Sequence, residues 1–174
     1  MPRRNRTRRA RKSLLIVGEG AQDRAFVEYL KSLYDGRETG QTVKVKAGDG
    51  GSPGDLLEKM IRRYQHIAHD RRVLLLDDDV QISGTARATA RRHGIEMILS
   101  SPVCLEGMLL EVLGEPVPLK AQSCKSSLHP MLDGHPAEKR SYERSFPQSL
   151  LDQSANPALI RLRMLISNQA MSGQ

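Results

Sequence analysis

Short runs of apolar residues recur along the first two thirds of the chain and predict strands. Residues 14–17 and 73–76 are continuous apolar runs, which is typical of strands buried on both faces. Val43 and Val45 alternate with lysines, which indicates a strand with one exposed side, and residues 95–99 are a fourth candidate. The pattern therefore predicts four short strands.

Apolar residues at helical spacing follow each predicted strand. They predict helices over residues 26–34, 53–67, 84–93 and 104–113. This alternation predicts an α/β fold, a single domain with a mostly parallel sheet flanked by helices over residues 13–114. Residues 115–156 are rich in Pro and Ser, and Asn156-Pro157 predicts a closing helix. Residues 115–174 are thus expected to be a C-terminal extension that ends in a helix.

Positive charge is concentrated at the start of the chain. The formal net charge is +7, but the first twelve residues hold seven cations and no acid, and the rest balances at 20 basic and 20 acidic residues. Residues 1–12 are expected to form a disordered basic arm that binds nucleic-acid phosphates; a solubility tail is the alternative. The cations of this arm are Arg3, Arg4, Arg6, Arg8, Arg9, Arg11 and Lys12.

Composition excludes several classes of protein. The 174 residues fit one domain, and no apolar run is long enough to span a membrane, so no membrane partner is expected. Aromatic residues make up 3%, which argues against an aromatic platform for single strands. Cys104 and Cys124 form no zinc or disulfide pattern, which favours a reducing, cytoplasmic setting.

Acidic residues follow two of the predicted strands. Glu19 follows the first strand, and Asp77, Asp78 and Asp79 follow the strand at 73–76. If the strands are neighbours, Glu19, Asp77 and Asp79 converge, since parallel strands end at the same edge. Ligands that are all oxygen select Mg²⁺ or Mn²⁺, and such an ion can assist phosphodiester cleavage. Asp78 points to the other side and is expected to be a bystander.

The strand followed by Glu19-Gly20-x-x-Asp23, and the later strand followed by Asp77-x-Asp79, resemble a TOPRIM domain. That fold is shared by topoisomerases, primases, OLD-family nucleases and small ribosomal-RNA-maturing ribonucleases. Within it, the basic arm leading into residues 15–20 and the segment 100–106 resemble RloB-like proteins of bacterial defence loci. Asp23 stands where these proteins more often have Glu, Ser101 replaces their Asn, and Leu105 replaces their aromatic residue.

The resemblance implies roles for five acids. Glu19 would be a metal ligand or general acid/base, and Asp77 and Asp79 would be metal ligands. Glu106 would be an added ligand, and Asp23 a ligand to a second metal or a support to the first. Turn and helix-cap chemistry is the alternative for all of them.

Several other candidates stay open in the sequence. Arg87 and Arg91 could contact a nucleic-acid backbone or simply form a solvated helix face. A transition-state cation could come from any of four basic residues, and His129 and His135 form no recognisable pattern. The four basic residues are Lys120, Lys125, Lys139 and Arg140.

Together these features predict a Mg²⁺-dependent nuclease, or a nuclease-like subunit, that acts on DNA or RNA and is linked to phage defence. The alternative is a non-catalytic subunit that binds nucleic acid or assembles with an ATPase encoded nearby. A phosphoacceptor role for Asp77 is disfavoured, because the first strand ends in Glu19 alone rather than in paired acids.

Overall fold

The structure, a computed structural model, describes residues 11–169. Within that range the sheet has four strands, all parallel, in the order β2-β1-β3-β4. The α/β fold with a parallel sheet, predicted from the alternation of apolar runs, is confirmed. The strands are β1 Lys12–Gly18, β2 Gln41–Ala47, β3 Arg71–Asp77 and β4 Ile95–Ser100.

Seven α-helices flank this sheet in the described part of the chain. Ser52 caps α2 by accepting the Asp55 N–H at 3.2 Å, and Pro53 takes the first helical position, as the sequence predicts. The helices are α1 Ala21–Tyr34, α2 Pro53–Tyr64, α3 Gly84–Arg92, α4 Leu105–Leu113, α5 Ala121–Leu128, α6 Gln148–Gln153 and α7 Pro157–Ile166.

Each face of the sheet has its own hydrophobic core because successive side chains on a strand point in opposite directions. On one face, Leu14 and Ile16 of β1 pack with α1, α4, α5 and α7. On the other face, Leu15 and Val17 pack with α2 and α3. The fold is therefore a three-layer α/β/α arrangement in which α1 and α3 lie on opposite sides of the sheet.

Residues 115–169 complete the first core. Tyr142 and Phe146 are fully buried and meet Phe26 of α1 edge-on, at ring-centroid distances of 5.4 and 6.2 Å. The Tyr29 hydroxyl donates to the Phe146 carbonyl at 2.6 Å. The weakly periodic C-terminal third thus covers α1 with aromatic side chains.

Hydrogen bonds and an ion pair attach helix α7 to the sheet. Asn156 caps α7 by accepting the Leu159 N–H at 3.1 Å, and its amide donates to the Ser101 carbonyl at 2.8 Å. Arg161 makes a two-pronged ion pair with Glu96 of β4 at 2.6 and 2.9 Å. The closing helix predicted at Asn156-Pro157 is confirmed, and it is tied to the loop that precedes α4.

Three boundaries differ most from the sequence prediction. Helix α1 begins at Ala21, five residues before the predicted start at residue 26. Lys12 is the first residue of β1 and pairs with Gln41, so the predicted arm of residues 1–12 runs into the sheet. The Arg11 guanidinium donates to the Arg37 carbonyl at 3.2 Å. Helix α2 ends at Tyr64, three residues before the predicted end, and Ile67 beyond it is 44% exposed.

No helix among residues 11–169 is both long enough and apolar enough to cross a membrane.

Candidate functional site

The carboxyl ends of β1 and β3 lie side by side. The two strands are paired through Gly18 and Leu75. Just beyond this pair, the backbone N–H of Asp77 donates to Oε2 of Glu19 at 3.4 Å. The backbone carbonyl of Glu19 also accepts the Gly50 N–H at 3.0 Å, which fixes the turn after β1. The predicted meeting of Glu19 and Asp77 is therefore present.

The start of α1 delivers Asp23 to the same place. A side chain at Gly18 would collide with Asp23, so the glycine lets α1 begin close to the strand. Asp23 is only 7% exposed, and its Oδ2 accepts the Gly20 N–H at 2.8 Å, which caps the helix. Its Oδ1 is buried and has no hydrogen-bond partner within the part of the chain that the structure describes.

A tight loop after β4 brings Glu106. The Leu105 N–H at the start of α4 donates to Oδ1 of Asp77 at 3.0 Å, so β3 and α4 are joined through that carboxylate. Glu106 is 3% exposed. Gly107 follows, and a side chain there would collide with the Pro102 carbonyl, so glycine permits the tight approach. His129, after α5, lies with Nε2 3.4 Å from Oε1 of Glu106.

These carboxylates line one cavity of about 360 Å³ at the carboxyl edge of the sheet. The acids come from four separate segments, and residues after α4 supply part of the wall. The lining includes Glu19, Asp23, Asp77, Glu106, Gly50, Lys125 and His135. An acidic centre with one lysine in its wall is the result.

Burial and mutual repulsion change the protonation of two of these acids. Burial is the largest effect on Asp23 and raises its pKa to about 7, with the charges of Glu19 and Glu106 adding to the rise. Burial likewise raises the pKa of Asp77 to about 7, with Asp23 the next largest cause. The hydrogen bonds from Gly20 and Leu105 oppose these shifts. The cavity therefore concentrates negative charge at a cost that a bound cation would relieve.

The donor set fits a hard divalent cation. All four acids supply oxygen, the ligand preferred by Mg²⁺ and Mn²⁺, and Oδ1 of Asp23 is buried with no hydrogen-bond partner among the described residues. No three Asp, Glu, His or Cys side chains among residues 11–169 are already arranged as a metal shell. Binding an ion would thus require at least one carboxylate to change rotamer.

Other predicted site residues lie elsewhere. Asp79 is exposed and does not line the cavity, because the chain leaves the sheet after Asp77 and the Asp78 N–H donates to the Val103 carbonyl at 3.0 Å. Arg87 and Arg91 are exposed on α3 and also lie outside the cavity lining. The arm cations Arg3, Arg4, Arg6, Arg8 and Arg9 lie outside the described residues.

Three residues of the site could not be chosen from the sequence. Lys125 was one of four equivalent basic candidates, and only the packing of α5 against α4 brings it to the cavity. His129 and His135 reach the site from an irregular stretch with no local pattern. The contact of His129 with Glu106 joins residues 23 apart in sequence. Local spacing carries no signal for contacts of this kind.

Comparison of the chain with protein-family models, curated proteins and solved structures finds no match. The resemblance to TOPRIM and RloB-like proteins therefore stays a prediction from short motifs. The geometry of the cavity is therefore the basis for inferring function.

Proposed function

We propose that this protein is a metal-dependent nuclease of the TOPRIM kind that hydrolyses phosphodiester bonds in DNA or RNA. The convergence of four carboxylates is the observation that supports the proposal most strongly, and one of them has a buried oxygen with no hydrogen-bond partner in residues 11–169. Like charges so close together in a largely buried site are costly unless protons or a cation offset them. The motifs after β1 and β3 point to the same chemistry.

Glu19, Asp23 and Asp77 would hold the ion, with Glu106 as a further ligand. Mg²⁺ or Mn²⁺ bound there would supply charge to a phosphate oxygen and lower the pKa of a water molecule. Glu19 is half-buried at the cavity wall, where it can also accept a proton from an attacking water. Asp79 is omitted from this set because it is exposed.

Two residues beyond the carboxylates would assist. Lys125 faces the cavity and makes no ion pair with any described residue, so its ammonium group is free to meet a phosphate. His129 lies against Glu106 and would fix the orientation of that carboxylate. Its role is to position a ligand rather than to touch substrate.

The biological setting follows only from the resemblance to RloB-like proteins. On that basis we place the protein in a bacterial phage-defence system, with an ATPase subunit as a candidate partner. A non-catalytic subunit that only binds nucleic acid or that ATPase is the alternative. It differs in one respect that can be measured, since its binding would need no metal and no cavity carboxylate.

The test is cleavage of labelled DNA and RNA by the purified chain. Wild type should cleave with Mg²⁺ or Mn²⁺ and lose activity in EDTA, and Glu19→Gln should lose roughly a thousandfold or more in rate while keeping its fold. Circular dichroism and thermal unfolding check the fold. Equal cleavage by wild type and Glu19→Gln, or full activity in EDTA, would contradict the proposal.

A further inference from the structure

A chain of grooves leaves the rim of the acid cavity. Ala21 and Ala137 line both the cavity and a second groove of about 280 Å³, which Arg24 and Lys139 also line. Arg24 and Glu28 in turn line a third groove of about 580 Å³ beside the edge strand β2. Because each groove shares lining residues with the next, the three depressions adjoin one another in a series from the carboxylates to the edge of the sheet.

One face of α1 forms the floor of this path. Ala21, Arg24, Glu28 and Lys31 are spaced three or four residues apart, so they lie on the same side of the helix. Ten residues of helix span about 15 Å. The path therefore extends about 15 Å from the cavity rim at Ala21 to Lys31.

The edge strand adds two cations beside it. Lys44 and Lys46 are exposed on the same side of β2, about 7 Å apart, while Val43 and Val45 between and beside them are buried. Both lysines line the groove together with Arg24. A helix and an edge strand thus present positive charge to one depression.

We define the basic groove by five cations with one acid among them. Glu28 is that acid, and it lies 3.9 Å from Lys31. The other four cations form no ion pair with any residue in the range 11–169 and are exposed. The five cations are Arg24, Lys31, Lys44, Lys46 and Lys139.

The cations of this groove act on a neighbouring histidine. His69 lines the groove, and burial together with the charges of Lys44 and Arg72 lowers the pKa of that histidine. A run of exposed, unpaired cations is the electrostatic footprint of a phosphate-backbone site. The groove also adjoins the cavity in which a phosphate would react, since Ala21 and Ala137 line both.

We propose that the basic groove binds the sugar-phosphate backbone of a nucleic acid and leads it to the acid cavity. This inference rests on the proposed function, because the acid cavity to which the groove leads is the proposed site of cleavage. It assigns the backbone to the β2 edge of the sheet, whereas Arg87 and Arg91 lie on α3, which contacts β4 at the opposite edge.

The test compares two double variants with the same change in charge. Lys44→Gln/Lys46→Gln alters the groove, and Arg87→Gln/Arg91→Gln alters the exposed face of α3, so the second is the matched control. Fluorescence anisotropy in EDTA measures affinity for labelled single-stranded DNA, single-stranded RNA and duplex DNA. Strands of about 20 nucleotides exceed the usual single-strand site of about 4–16.

The groove variant should bind about tenfold more weakly than wild type at low salt. Its salt dependence between about 50 and 200 mM should be shallower by about 1.4–1.8 logarithmic units per decade, because two phosphate contacts are lost. The α3 variant should stay within about threefold of wild type by the same reasoning. An unchanged groove variant, equal losses in both variants, or no binding of any probe by wild type would overturn the inference.

Two further measurements separate this inference from the proposed function. Arg24→Gln, an exposed change on α1, should weaken binding as well. Because it leaves β2 unchanged, it shows that the loss in Lys44→Gln/Lys46→Gln is not caused by misfolding of that strand. If Glu19→Gln abolishes cleavage while both groove variants bind like wild type, the groove inference fails and the nuclease stands. If Glu19→Gln cleaves like wild type while the groove variants lose affinity, the nuclease fails and the groove stands.

Discussion

The acid cavity and the basic groove share a rim but are built in opposite ways. In the cavity, Asp23 and Glu106 are 7% and 3% exposed and have like-charged neighbours. In the groove, Arg24, Lys44 and Lys46 are exposed and unpaired among the described residues. Buried like charges are expensive, whereas solvated surface charges cost little.

The contrast indicates how each region would work. Several acids in a largely buried cavity repel one another unless protons or a cation offset the charge, and a divalent cation would do so. Surface cations can act one by one, each adding a little to the attraction of a polyanion. We therefore expect changes in the cavity to have large, all-or-none effects and changes in the charged surface to have graded, salt-dependent ones.

The largest expected effect is on cleavage, and it should distinguish Asp77 from Asp79. Asp77→Asn should reduce cleavage by roughly a thousandfold or more, since it removes a ligand that also anchors α4 through the Leu105 N–H. Asp79→Asn should leave the rate within about threefold of wild type, because an exposed carboxylate outside the cavity interacts mainly with water. Rates at saturating Mg²⁺ measure both.

Circular dichroism of Asp77→Asn must match wild type for that comparison to hold. A loss of activity in Asp79→Asn equal to that in Asp77→Asn would contradict the placement of the site. It would instead favour the arrangement expected from the sequence, in which Asp79 is a metal ligand.

A smaller effect concerns stability without metal. The folded-state pKa of Asp23 is about 7, above its ordinary value of 3.8, so the folded protein binds the proton more tightly than the unfolded chain. The free energy of unfolding should therefore fall as pH rises through this window. Asp23→Asn removes the cost of ionising this buried carboxyl. Relative to wild type, its free energy of unfolding should rise by on the order of 1–3 kcal/mol between about pH 4 and pH 8.

Urea unfolding in EDTA at several pH values measures that difference. Asp79→Asn, the same change at an exposed acid, is the control. A stability difference between Asp23→Asn and wild type that does not change with pH would contradict the predicted cost of ionising the buried Asp23 carboxyl. Adding Mg²⁺ at about pH 8 should stabilise wild type more than Asp23→Asn, because the ion binds only the folded state.

The smallest effect is expected from the N-terminal segment. Deleting residues 1–10 removes five arginines and leaves Lys12 in place to begin β1. Affinity for DNA or RNA should drop by about tenfold at low salt and the salt dependence should become shallower. Cleavage at saturating substrate should not change, and a loss there would mean that the segment contributes to the site itself.

Much of the fold could be predicted from local sequence. The continuous apolar runs at 14–17 and 73–76 fall inside β1 and β3, because a strand buried on both faces leaves that pattern directly. The cap at Ser52 marks the start of α2. Residues 121–153 gave no such pattern, since α5 and α6 are short and Tyr142 and Phe146 are buried by distant partners.

In the candidate site too, residues at strand ends could be predicted from the sequence, whereas residues placed by tertiary packing could not. Glu19 and Asp77 could be predicted because strand ends in a parallel sheet meet at one edge. Asp79 could not be excluded, since alternation assumes that the strand continues, whereas β3 ends at Asp77. Lys125 enters from α5, and its position depends on how the helices pack rather than on any nearby residue.

Mn²⁺ binding by the full chain is the most direct test of the central claim. Titration followed by electron paramagnetic resonance at about pH 8 should show saturable binding that is lost or weakened by roughly tenfold to a hundredfold in Asp23→Asn and in Asp77→Asn. Asp79→Asn should bind as wild type does. Equal Mn²⁺ affinity in wild type and in both cavity variants, or loss of binding in Asp79→Asn alone, would contradict the claim that the cavity carboxylates form a cation site.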